Sequence, residues 1–218
     1  CFTLLAALVS CNNNNVEDLT IDNGKIKLIF SKENGSLVVF QDLIHDYEFL
    51  DDKKTMELPW EIDFNQAQDS LQPPLDFEYS KLDPLTLVLK WENFKGDNNK
   101  ELTVTAEIKL DRDKALSYWK ISLDGTQGKE INTVVFPKIN GFKDLGQEKL
   151  ALPKIMGELL SDPRGILFAK DTEEKRMEWV YPDHLSLQCL ALYNEDKIGL
   201  YLASNDTLTY RKGFSFDL

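Results

Sequence analysis

From Leu102 to Leu110 the chain alternates without a break: Leu102, Val104, Ala106, Ile108 and Leu110 are apolar, and the residues between them are polar or charged. A side-chain period of two belongs to a β-strand with one face buried and the other wet; a helix repeats every 3.6 residues and cannot present it. Leu85, Leu87, Leu89 and Trp91 repeat the pattern, and so does Lys25–Phe30. Turn chemistry separates these runs. Asn34-Gly35, both tolerant of positive φ, stands between 25–31 and 36–41 and predicts a hairpin. Gly96–Asn99 joins 85–94 to 101–110, Asp111–Lys114 leads into 116–123, and Asn194–Lys197 joins 185–193 to 198–204. Such meanders predict an all-β chain, a large antiparallel β-sandwich with few short helical turns. Those turns are expected at 144–151 and 154–160, bounded by Pro153 and Pro163. The stretch 65–75, with three glutamines and two prolines, reads as an exposed loop. No internal repeat or linker divides the remainder, so one domain is expected over 21–218.

Composition then removes whole classes of function. With 42% hydrophobic residues the chain can bury a core, which excludes intrinsic disorder. The 218 residues fit one all-β unit. Twenty-five basic against 37 acidic residues leave a net charge of −12, and a surface so acidic repels phosphate backbones. Nucleic acid is therefore not an expected partner. Neutral ligands such as sugars remain open.

The first residues read as an address. Cys1–Ser10 is an apolar run too short for a bilayer span, which needs about 20 residues, but suited to the apolar region of a signal peptide. Leu8-Val9-Ser10-Cys11 resembles a bacterial lipobox, in which small residues fit the signal peptidase and the cysteine thiol accepts the lipid. Residues 1–11 are then a signal remnant with Cys11 as the lipidation site, and 12–20, opening with four asparagines, a polar tether. That places the protein in a bacterial cell envelope, held to the membrane through Cys11. Without an initiating Met or a basic segment, the sequence is expected to begin inside a longer precursor. Cys189 is left as a single thiol, read as a core residue within Leu187–Leu192.

Chemistry-bearing motifs are few. His45 and His184 are the only histidines and stand far apart, and no cysteine pair or zinc-ligand spacing occurs, so no metal site is expected. A surface Ca²⁺ stays open in so acidic a chain, but no cofactor is indicated. Asp111 and Asp113 read as a solvated turn. There is no glycine-rich phosphate loop and no serine-centred elbow. Paired carboxylates can hydrolyse glycosidic bonds, yet among 37 acidic residues pairs arise by chance; Glu61, Asp63, Glu173, Glu174 and Glu178 read as surface groups.

The last sixty residues carry a resemblance. Leu152-Pro-Lys-Ile-Met-Gly157, Ser161-Asp-Pro163, Trp179-Val-Tyr-Pro182, Ser186-Leu-Gln188, Ile198–Asp206 and Lys212-Gly-Phe214 occur in an order similar to the N-terminal β-supersandwich (galactose-mutarotase-like) domain of secreted bacterial glycoside hydrolases. Asn23–Phe30 with Asn34-Gly-Ser-Leu37 resembles that domain's first hairpin, and Leu58-Pro-Trp-Glu-Ile62 its tryptophan-bearing strand. The resemblance implies a missing C-terminal catalytic (β/α)8 barrel in the same chain, with the acid and base beyond Leu218 and no catalytic residue here. It implies a glycan partner and a domain that helps to shape the substrate cleft. An aromatic ring can stack on a sugar's C–H face while polar groups take its hydroxyls; Trp179, Tyr181, His184, Asp206 and Lys212 supply those types in the resembling segments. Packing of Trp179 and Tyr181 in the core and a turn-capping Asp206 are the structural alternative. Two other functions stay open: a carbohydrate-binding lipoprotein, and an aldose mutarotase or epimerase using His45 or His184.

Overall fold

The computed structural model describes residues 19–51, 57–64, 71–95, 101–170, 175–208 and 210–217. Cys11 and the tether therefore lie outside the described residues. So do Glu173 and Glu174, and most of the glutamine-rich stretch. The described chain is all-β apart from one short helix, and each paired strand is antiparallel to its neighbour. It divides into two compact units, one ending at Phe142 and the other running from Lys143.

In the first unit, β1 (Leu19–Asp22), β2 (Ile26–Phe30), β3 (Leu37–Asp42) and β4 (Tyr47–Glu48) form a four-stranded meander. A second sheet is built from β6 (Pro74–Asp83), β7 (Thr86–Phe94), β8 (Thr103–Leu110) and β9 (Ser117–Asp124) in sequence order, and β5 (Glu61–Phe64) pairs with β10 (Ile131–Val135). The alternation that defines β8 in the sequence is its burial pattern: Val104, Ala106 and Ile108 are fully buried, with half-buried or exposed residues between them. On β7, Leu87, Leu89 and Trp91 are equally buried. Asn93 at φ 54 then breaks the alternation, so that Phe94 rather than Asn93 is buried.

Side chains join these two sheets. Phe30 of β2 lies 5.6 Å from Trp119 of β9, ring centre to ring centre. Asn23, in the turn between β1 and β2, donates through its amide to the carbonyls of Asp111 and Lys114 in the β8–β9 turn, at 2.6 and 2.9 Å. The predicted solvated turn at 111–114 is thus also an anchor point. The β2–β3 hairpin turns at Asn34-Gly35, where Gly35 has φ +75. Its tip presses on aromatic rings: a Cβ at Gly35 would lie 2.6 Å from Phe77 and 2.8 Å from Trp91.

In the second unit, β12 (Glu158–Ser161), β11 (Lys149–Leu152), β14 (Cys189–Tyr193) and β15 (Gly199–Ala203) form one sheet in that order, and β13 (Arg176–Tyr181) pairs with β16 (Lys212–Asp217). The helical turns expected at 144–151 and 154–160 are corrected here. These segments contain β11, a turn, and β12, while the helix, α1 (Pro163–Ala169), begins at the proline taken as a boundary. Proline lacks only an N–H that the first helical turn leaves unused, so it suits that position. Asp162 caps the helix by accepting from Gly165 N at 2.9 Å. The buried Glu148 carboxylate holds this region together, receiving Arg164 Nε at 2.8 Å and Leu145 N at 3.0 Å. Arg164 also donates to Lys143 O and lies over the Phe216 ring. Cys189 is half-buried and hydrogen-bonds with the Tyr201 hydroxyl.

Candidate functional site

The β13–β16 ribbon places the predicted residues. Its register sets Met177 opposite Phe216, Trp179 opposite Phe214 and Tyr181 opposite Lys212. Directly opposed side chains share a face, and residues two apart on a strand share it too. These three rungs therefore lie on one face, which grows wetter along the strand: Met177 and Trp179 are each 8% exposed, whereas Tyr181 is half-buried. The last rung is where the apolar face becomes polar.

Lys212 is fixed at that rung. Its ammonium meets Asp206 Oδ2 at 2.8 Å and donates to the Leu208 carbonyl. Two of the three ammonium donors are taken by these contacts, and the side chain is 12% exposed. Asp206 also accepts from Leu208 N at 2.8 Å, which closes the turn after β15. The hydrogen bond from Lys212, aided by that backbone N–H, holds the Asp206 carboxyl below its ordinary value. The Asp206 carboxylate is accordingly charged at neutral pH. Tyr181, Asp206 and Lys212 are thus brought together, the last two by direct contact and Tyr181 by cross-strand register. Trp179 sits one rung inward, with little ring area available to solvent. Asp206 does cap a turn, as the structural alternative has it, and it pairs with Lys212 as well.

His184 follows Tyr181 by three residues. It lies in the turn after β13, about half exposed, with Asp183 Oδ2 3.9 Å from its Nε2. His45 occupies the β3–β4 turn, where its Nδ1 lies 2.6 Å from Asp42 Oδ2. Burial pushes the Asp42 carboxyl up, but the His45 ring and the backbone N–H groups of Ile44 and His45 outweigh it and hold the carboxyl below its ordinary value. Each imidazole is thus held beside a carboxylate from its own turn. Glu61 bonds Lys138 at 3.0 Å, Asp63 accepts from Asn132 at 2.6 Å, and Glu178 lies 3.6 Å from Arg176. Among the described residues no three His, Cys, Asp or Glu side chains converge as a metal would require.

A groove of about 600 Å³ in the first unit was not anticipated from the sequence. It runs beside the β2–β3 hairpin tip, with Glu33 and Asn34 from the tip, Asp76, Phe77 and Glu78 from β6 and Asn93 from β7 among its walls. The hairpin is pinned there because Trp91 donates through Nε1 to Asn34 O at 2.7 Å. Asn93 donates to the Asp76 carboxylate. The missed signal was the alternating run on β6 itself, Leu75, Phe77 and Tyr79, whose strand begins at Pro74, inside the 65–75 stretch read as loop. No protein-family model matches the chain, and no curated protein is similar enough to it to show a relationship.

Proposed function

We propose that this chain is a non-catalytic, carbohydrate-binding β-sandwich of the supersandwich type, the N-terminal part of a lipid-anchored glycoside hydrolase of a bacterial cell envelope. In this reading a catalytic barrel follows Leu218, Cys11 carries the lipid, and the domain helps to shape the cleft for a glycan. The observation that carries the binding role is the last rung of the β13–β16 ribbon: Tyr181 half-buried, and opposite it Lys212 fixed by Asp206 and the Leu208 carbonyl. A half-buried phenol offers a ring face for C–H contact and a hydroxyl, and a pre-oriented ammonium can donate to a sugar hydroxyl without further ordering. The antiparallel sheets and the order of the resembling segments support the fold assignment.

Tyr181→Ala and Lys212→Met test it by glycan affinity, with thermal unfolding as the control. We expect each to weaken binding by about tenfold, the equivalent of roughly 1.4 kcal/mol, and Lys212→Met also to lower the melting transition, because the side chain is 12% exposed and its ammonium is paired with Asp206. Wild-type affinity in both variants would remove the rung from any glycan site.

A further inference from the structure

The groove beside the β2–β3 hairpin tip is independent of the ribbon rung, and we infer that it is a second carbohydrate subsite, one that accepts uncharged sugar rings and rejects anionic ones. The inference rests on the glycan reading above and adds a ligand class to it. Its volume of about 600 Å³ falls within the range of small-molecule sites. One wall is an aromatic ring, Phe77, half-buried and backed by Trp91 with ring centres 5.6 Å apart. Trp91 is fully buried and hydrogen-bonded, so the ring wall is held from behind. A pre-ordered ring loses little entropy when a sugar's C–H face stacks on it.

The polar walls set the ligand's charge. Among the described residues Glu33, Asp76, Glu78 and Glu92 line the groove, and no lysine, arginine or histidine does. Lys90, opposite Glu78 on β7, is bound to Glu92 at 2.8 Å. Carboxylate oxygens accept hydrogen bonds from hydroxyls, and the Asn93 amide adds mixed donor and acceptor capacity at a residue held at φ 54. A uronate or a sulfated sugar brought to the same place meets mostly like charge, which Lys90 offsets in part through Glu92. A neutral hexose brings no charge to these carboxylates.

The test is a heteronuclear NMR titration of the whole labelled chain with methyl glucoside, methyl galactoside, methyl mannoside and glucuronate at neutral pH. The Trp91 indole and the Asn93 side-chain amide report the groove; the Lys212 and Tyr181 amides report the ribbon. The expected result is saturable shifts at Trp91 and Asn93 with at least one neutral glycoside, and about tenfold or more weaker binding of glucuronate. Glu33→Gln, an exposed change, should narrow that gap, and Phe77→Leu should weaken the neutral sugar. Silence at Trp91 and Asn93 with all three neutral glycosides overturns the inference, and glucuronate binding as well as they do overturns its charge selectivity. Shifts confined to the ribbon would overturn the groove while leaving the proposed function standing. Shifts confined to the groove would do the reverse for the ribbon site.

Discussion

Gly35 shows how one residue sets both a turn and a wall. Its φ of +75 suits the hairpin, and the absence of a Cβ lets the tip rest on Phe77 and Trp91. Gly35→Ala would combine a left-handed alanine with a contact under 3.0 Å to two rings. We expect a loss of about 2–4 kcal/mol in unfolding free energy, measured by urea denaturation. An unchanged midpoint would show that the hairpin tip does not bear on the rings. The turn at Asn34-Gly35 was legible in the sequence because positive φ leaves a local composition signal. What the tip rests on was not: Phe77 lies forty-two residues further on, and such a contact leaves no mark on local spacing. The same holds for the ribbon. The residue types at Tyr181, Asp206 and Lys212 were legible, but the register that opposes Tyr181 to Lys212 comes from strand pairing.

Among the elements, the long amphipathic strands were the most readable. β7 and β8 each bury one face completely, so their alternation is uninterrupted until Asn93. β11 and β12 have four residues each, and a period cannot be established over two repeats. Pro153 and Pro163 there suggested bounded helical turns, whereas the segment is a hairpin followed by a helix that starts on proline. The lock on that region is electrostatic. Glu148 is 3% exposed and Arg164 14%, so the pair has lost most of its water. Removing one partner of such a pair strands the other charge, at a cost of about 3–5 kcal/mol. Arg164→Ala should therefore unfold the second unit early, read as loss of protection at the β11 and β14 amides in hydrogen exchange. Retained protection there would show that the strands hold without the pair.

At the scale of the molecule, the net charge of −12 and the four carboxylates among the described residues of the groove both disfavour anionic ligands. Composition made the charge legible, but not its placement. Binding without turnover separates the proposed module from a mutarotase or epimerase. The most direct measurement is NMR of neutral reducing sugars mixed with the chain, recording saturation transfer from protein to sugar and the rate of α/β anomer exchange together. The account predicts transfer to the protons of at least one sugar, with anomer exchange at its rate in buffer. Transfer to none of them, or exchange accelerated in proportion to protein concentration, would contradict it.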